Sequence, residues 1–377
     1  MVGINTNASN ADNFVSINLA APIDSVGRLD IVTSSSRFFT RFNTGTATLV
    51  APNKILTAAH VIDPDLDGIA DIEDLSQYSF KLGDNVDIPD RTIGISQVSL
   101  HPAWVDAEQN RFNVVDEQEF ENPLYDLAVL TLSEDITDIP SIPIAPNVTE
   151  FADNTALLGQ TGTLIGYGNT SNINSPSALI PNNGTRRAAE NIIDSIDNGL
   201  IRFDYDSTFE FQQEPDTGIN SPSFDGSTPQ VIPVPSSSPI PIPLEGEIGE
   251  GDSGGPLLVQ SDLGAPVVVG VASQLIDPDA ITRAIPGYGS VDVYAALSRP
   301  STLEFLAEEG LYDPTPENFA SQTLNSQVTV DDFDFSLNNY SGARTRSEFT
   351  ESYDYLEQPD IFYSQSNYLN LVSTAEI

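Results

Sequence analysis

Cysteine is absent from the 377 residues, so no disulfide staples the fold and its stability must rest on a buried core. Basic residues are scarce: 14 Lys and Arg stand against 55 Asp and Glu, a formal net charge of −41. Nucleic acid and anionic membrane surfaces should repel such a chain, and the charge reads as a solvated acidic surface. No run of 18 or more apolar residues exists, so no membrane-spanning helix is expected. Residues 1–20 carry neither a basic n-region nor an apolar h-region, and no secretory signal is visible in them. Histidine is nearly missing as well, His60 and His101 being the only two.

Against these absences stands Gly249-Glu250-Gly251-Asp252-Ser253-Gly254-Gly255-Pro256-Leu257-Leu258-Val259. Glycines on both sides of Ser253 let the backbone turn sharply and approach a ligand, at an entropic cost. The apolar run Leu257 to Val259 reads as a buried strand that would hold the turn rigid. A hydroxyl on a tight, supported turn is how a serine is presented as a nucleophile. Taken alone, Gly-x-Ser-x-Gly is more often a surface loop, so the reading depends on a base and an orienting acid elsewhere. His60 closes Leu49 to Ala59, which reads as a strand, a turn at Pro52-Asn53, a second short strand and small residues. His101 precedes Pro102, which argues for a strand end or turn and a structural or exposed loop histidine. Asp126 heads the apolar run Leu127 to Leu132, where it is desolvated unless something polar faces it, and a histidine N–H would serve.

Chain order discriminates among the folds that use a Ser-His-acid set. The α/β-hydrolase elbow needs the acid and then the histidine after the serine, and no histidine follows Ser253. The subtilisin order needs an acid before the histidine; Asp24 and Asp30 are available, but neither reads as part of a well-defined strand. The remaining order is His60, Asp126, Ser253.

Thr57-Ala58-Ala59-His60, Asp126-Leu127-Ala128-Val129-Leu130 and Gly251-Asp252-Ser253-Gly254-Gly255-Pro256 resemble the three signature blocks of the trypsin/chymotrypsin-like serine endopeptidases, here of a cysteine-free bacterial type. The likeness covers roughly residues 21–309, with Gly45 to Val50, His101-Pro102, Gly166-Tyr167-Gly168 and Val268 to Ser273 as supporting pieces. It implies an all-β fold of two antiparallel six-stranded β-barrels with the active site in the cleft between them. A short C-terminal helix would follow over 301–309, with Ser301 as cap, Glu304 three residues on and Gly310 as the stop. The expected divisions are a flexible leader or propeptide over 1–20, a first barrel over 21–140, a second over 141–310 and a C-terminal extension over 311–377. The second barrel would carry a Pro/Ser-rich insertion over 214–246, which no central strand accommodates.

The resemblance also assigns roles. Ser253 would attack the peptide carbonyl, His60 would carry the proton, Asp126 would fix the imidazole, and Ser273 would back the triad. The N–H groups of Gly251 and Ser253 would form the oxyanion hole. Activity should then fall as pH drops below roughly 6.5, where the imidazole protonates. In many members a freshly cut N-terminus pairs with the acid before the serine, here Asp252. No Ile-Val-Gly-Gly start occurs, so an internal arginine, with Arg186-Arg187 a candidate, is the alternative partner. The primary pocket floor falls at Glu247, with Asp292 a second acid able to line it, and either favours Arg or Lys substrates. Glutamate-specific members use a pocket histidine, and none is left over. Catalysis would need no cofactor, the partners would be protein or peptide substrates, and a monomer located outside the cell or on its surface is expected. The rival reading is a catalytically silent homologue used as a binding module; an esterase on the same triad is a third.

One stretch lies outside that scheme. In Asp63-Pro64-Asp65-Leu66-Asp67-Gly68-Ile69-Ala70-Asp71-Ile72-Glu73-Asp74, acids at positions one, three, five, nine and twelve with glycine at six match a calcium-loop pattern. The expected ligands of a structural Ca²⁺ are Asp63, Asp65, Asp67, Ile69, Asp71 and Asp74, with an acidic surface insertion as the alternative.

Overall fold

The computed structural model describes residues 3–4, 16–35, 40–70, 74–105, 123–145, 154–171, 179–180, 184–197, 199–205, 242–277, 290–313 and 373–376. Strand β1 (Gly3–Ile4) is followed by a helical stretch at residues 16–20 and then by the first barrel. That barrel comprises β2 (Val26–Ser35), β3 (Thr40–Ala51), β4 (Lys54–Thr57), β5 (Tyr78–Leu82), β6 (Arg91–Leu100) and β7 (Ala128–Leu132). It closes in the order β2-β3-β4-β7-β6-β5. Alternation makes the interior: in β5, Tyr78, Phe80 and Leu82 are buried while Ser79 and Lys81 are only partly so. The Pro52-Asn53 turn joins β3 to β4, with Ala51 opposite Lys54.

The second half contributes β8 (Thr161–Gly166), the small ladder of β9 (Thr170–Ser171) with β10 (Leu179–Ile180), β11 (Arg187–Ile192), β12 (Ser195–Asp197) and β13 (Leu200–Asp204). After β14 (Gly246–Glu247), which pairs with β1, come β15 (Pro256–Gln260), β16 (Pro266–Asp277) and β17 (Val291–Ala296). The ladder runs β11-β8-β15-β16-β17-β13-β12. Its two ends are halves of one bent strand, because β12 follows β11 after only Ile193 and Asp194. The Asp194 N–H already donates to Arg202 O of β13 at 3.1 Å. The sheet therefore curls onto itself as a second six-stranded barrel. Strand β18 (Ser373–Glu376) adds to β16. Of the four helical residues Ala59–Ile62, here α1, all are buried; α2 (Pro300–Glu308) follows the second barrel.

One apolar cluster runs through both barrels, joining Leu49, Ile55, Phe80 and Leu130 to Ile165, Leu258 and Val271. Tyr167 bridges them, its hydroxyl donating to Gly83 O at 2.8 Å; burial pushes that phenol up to about 12. Phe305 and Leu306 of α2 enter the same cluster, and Lys54 pairs with Glu309 at 2.7 Å, so the helix leaves the second barrel to seal the first.

Several expectations change. Ser301 does not cap α2: Arg299 is the N-cap, without a side-chain bond, and Pro300 starts the helix because its fixed φ and missing N–H suit a first position. Gly310 (φ +72) ends it as expected. The leader joins the fold before residue 20, since Leu19 and Ala20 are buried and Ser16 Oγ donates to Ala188 O at 2.6 Å. Asp30 does lie in a strand, β2, buried and paired with Arg28 and Lys81 at 2.6 Å each rather than with a histidine. Most of the Pro/Ser-rich insertion, residues 214–241, lies outside the described residues.

Candidate active site

Three elements bring the polar residues together. β4 ends at Thr57, and the buried Ala58 and Ala59 leave room for His60 to lie close against the barrel. Asp126 sits between the 3-10 turn Pro123–Tyr125 and β7, fully buried. Ser253 lies on the turn between β14 and β15. His60 Nδ1 is 2.7 Å from Asp126 Oδ2, and His60 Nε2 is 2.8 Å from Ser253 Oγ. Asp126 accepts two further bonds, from the His60 N–H at 2.9 Å and from Ser273 Oγ at 2.6 Å. The tautomer that satisfies every contact keeps its proton on Nδ1, which leaves Nε2 to receive one from the serine.

The turn around Ser253 is fixed by its own backbone and by β3. Asp252 N–H donates to Gly249 O at 2.8 Å, Gly255 N–H to Asp252 O at 2.8 Å and Gly254 N–H to Ala272 O at 2.9 Å. Thr46 holds the carbonyls on the other side, its N–H donating to Ser253 O at 2.7 Å and its Oγ1 to Gly251 O at 3.0 Å. Among the described residues, neither the Gly251 nor the Ser253 N–H has an acceptor in the protein. These are the two amides that an oxyanion would use. Gly254 has φ +80, and a Cβ there would lie 2.0 Å from Thr57 Oγ1, so glycine is required. A cleft of about 280 Å³ opens beside His60, Ser253 and Gly251, walled by Phe42, Asn43 and Glu250.

Asp252 points away from the reacting centre into the second barrel. It is buried and accepts from Gly168 N at 2.7 Å and Gly249 N at 3.0 Å. Cβ atoms on Gly166 and Gly168 would come within 2.0 and 2.4 Å of its two oxygens, which accounts for the glycines flanking Tyr167. Arg187 of β11, opposite Gly166, is buried too; burial pulls its guanidinium down while the Asp252 charge opposes that shift. Arg186 instead ties the entry segment to both barrels, through Asp24 and Asp84 at 2.8 Å each and the carbonyls of Ala21 and Val26 at 3.3 Å. Neither arginine is the surface charge that a dibasic pair ordinarily is.

Glu247 and Asp292, the two acids expected to line a specificity pocket, are both buried. Ile248 N–H donates to both Asp292 oxygens, at 3.2 and 3.1 Å, and Ser290 Oγ donates to Glu247. Burial, then the neighbouring Glu247 charge, holds the Asp292 carboxyl well above its usual range. The His101 ring packs 5.1 Å from both Tyr125 and Phe305, and burial pulls it down to about 4.

In the acidic loop, carboxylate oxygens of Asp63, Asp65 and Asp67 lie within 4.8 Å of one another. Asp63 is buried and accepts from Trp104 Nε1 at 2.9 Å, Gly68 N at 2.8 Å and Asp67 N at 3.0 Å; burial raises its pKa against those bonds. Asp74 is not in the cluster. It caps the 3-10 turn Leu75–Gln77, accepting from Ser76 N at 3.0 Å and Ser76 Oγ at 2.7 Å. The Ile69 N–H donates to Asp67 Oδ1 at 2.9 Å, and Asp71 lies outside the described residues.

Sequence reasoning missed Thr46 and Thr57, whose roles are bonds across strands. Thr57 Oγ1 donates to Thr46 O at 2.8 Å and so couples the histidine strand to the serine loop. The family model described as trypsin matches residues 27–203, a span that contains His60 and Asp126 and stops before Ser253. No curated protein matches the sequence. Among solved structures, that of a Glu endopeptidase in complex with MPD is similar at 15% identity and a TM-score of 0.40, covering 78% of this chain and 93% of that one.

Proposed function

From the trypsin family match over residues 27–203 we propose that the chain is an active serine endopeptidase, with His60, Asp126 and Ser253 as its catalytic residues. The observation that carries the reading is the unbroken chain of contacts Ser273–Asp126–His60–Ser253, closed beside two amides without a protein acceptor. Ser253 Oγ attacks the peptide carbonyl carbon as its proton passes to His60 Nε2. The carbonyl oxygen becomes an anion held by the N–H groups of Gly251 and Ser253, where each donor is worth about 10²–10³ in rate. As the C–N bond breaks, His60 returns the proton to the leaving amine. A water then repeats the sequence on the acyl-enzyme, with His60 again the base. No metal or organic cofactor takes part in these steps.

A fluorophosphonate probe should label Ser253, and Ser253→Ala should abolish both labelling and casein hydrolysis. Labelling that persists in Ser253→Ala, or a wild-type protein that is never labelled, would favour the silent binding module instead. Glu247 and Asp292 support a preference for Lys or Arg before the scissile bond, because a cation there would offset the burial and the Glu247 charge that together raise Asp292. Cleavage of a peptide library only after large apolar residues would remove that preference. An extracellular enzyme is proposed from the family and the acidic composition; recovery from the cell pellet rather than the culture medium would count against it.

We also propose that the Asp63–Asp67 turn holds a structural Ca²⁺. Three carboxylates at alternate positions, one of them buried, converge on a loop whose sixth residue, Gly68, has φ +80. A hard cation would offset that repulsion and stiffen the segment following His60. Adding 5–10 mM Ca²⁺ should raise the melting temperature by about 2–4 °C, an effect lost in Asp65→Asn/Asp67→Asn. An unchanged melting curve and no calorimetric heat would dismiss the site.

A further inference from the structure

β16 has two edges along Gln274–Asp277. One pairs with β17, setting Gln274 opposite Val293, Leu275 opposite Asp292 and Ile276 opposite Val291. The other pairs antiparallel with β18: Gln274 with Glu376, Leu275 with Ala375, Ile276 with Thr374 and Asp277 with Ser373. The position of that second edge gives it meaning. β15 pairs with β16 only as far as Val271, and from there the chain on that side turns back into the Ser253 loop. Immediately before Gln274, Ser273 Oγ bonds Asp126, and Ala272 O receives the Gly254 N–H. An extended peptide reaching Ser253 would therefore pair with this edge, gaining main-chain hydrogen bonds from strand addition.

Direction strengthens the case. The acyl half of a substrate must run with its scissile carbonyl toward Ser253, so its residue numbers rise along β16 from Asp277 toward Ser273. β18 has that polarity: Ser373 lies opposite Asp277 and Glu376 opposite Gln274. A strand of opposite direction could also have covered the edge, but it would not have presented a substrate-like backbone.

We propose that Ser373–Glu376 is a self-inhibitory strand, occupying the place on β16 that the acyl side of a peptide substrate must take. The inference rests on the endopeptidase reading above. About sixty residues separate Asp313 from Ser373, about 200 Å if extended, so the connection can reach. A tethered strand competes at an effective concentration set by that connection, and substrate must displace it before acylation. Such competition raises KM and leaves kcat unchanged.

The test uses the full chain with Thr374→Pro/Ala375→Pro, which removes two strand N–H donors without touching the barrels. For a peptide substrate with four residues before the scissile bond, KM should fall about tenfold, with kcat within twofold. In a Ser253→Ala background, amide exchange at Gln274–Asp277 should quicken on the same substitution. An unchanged KM or unchanged exchange overturns the proposal. A fluorophosphonate that labels neither form would instead overturn the endopeptidase reading, while the exchange comparison still reports whether the strand docks.

Discussion

Asp126→Asn is expected to lower kcat about 10⁴-fold while leaving KM within a few-fold. Asp126 receives three donors, from the His60 ring, the His60 backbone and the Ser273 hydroxyl. An acid with two acceptor oxygens satisfies all three; an amide has one acceptor oxygen and an NH₂ that donates. An NH₂ in place of Oδ1 faces the His60 backbone N–H, and one in place of Oδ2 faces both the His60 ring and the Ser273 hydroxyl. If the NH₂ faces the His60 ring, the imidazole answers by moving its proton to Nε2, which then points at Ser253 Oγ and cannot accept the serine proton. The geometry survives and the chemistry does not. Ser273→Ala, which removes one of the three bonds and leaves the tautomer alone, should cost only about tenfold. The measurement is kcat together with the rate of fluorophosphonate labelling at neutral pH. An Asp126→Asn enzyme within tenfold of wild type would show that another group orients His60.

The residues of that site were legible because their local requirements are strong. Ser253 sits among glycines that a left-handed turn and close strand contacts demand, Asp126 starts an apolar strand, and only two histidines compete for the base. The barrels were legible in outline, through alternation such as that of Tyr78, Phe80 and Leu82. What escaped the sequence depends on neighbours distant along the chain. Ser301 looked like a helix cap, but Pro300 before it sets the first turn and moves the cap to Arg299. Asp74 looked like a loop ligand, yet Ser76 two residues on offers a nearer partner and draws it into a 3-10 cap. Asp30 gave no sign of its second cation, because Lys81 comes from another strand. Four residues of the C-terminal extension carry no periodic signal of their own, and only the waiting edge of β16 makes them a strand.

The second large effect follows from a partner that the sequence offered only as one of several options. Arg187→Met is expected to lower kcat about 10³-fold and to destabilise the protein by roughly 3–5 kcal/mol. Asp252 and Arg187 are both buried and their charges attract, so removing the cation takes a favourable charge away from a buried carboxylate that also accepts from Gly168 and Gly249 N–H. Asp252 is also the hinge of the serine turn: its own N–H and carbonyl close the bonds to Gly249 and Gly255. If the carboxylate then seeks water, those bonds go with it and the Gly251 and Ser253 amides lose their alignment. Arg186→Met makes the contrasting control. It should reduce stability through the lost bonds to Asp24, Asp84, Ala21 and Val26, while kcat in the folded fraction stays within a few-fold. Pairing Arg187→Met with Asp252→Asn removes both charges, so the double variant should be more stable than the two single costs added together. An Arg187→Met protein that melts and turns over like wild type would show that Asp252 is balanced by another group.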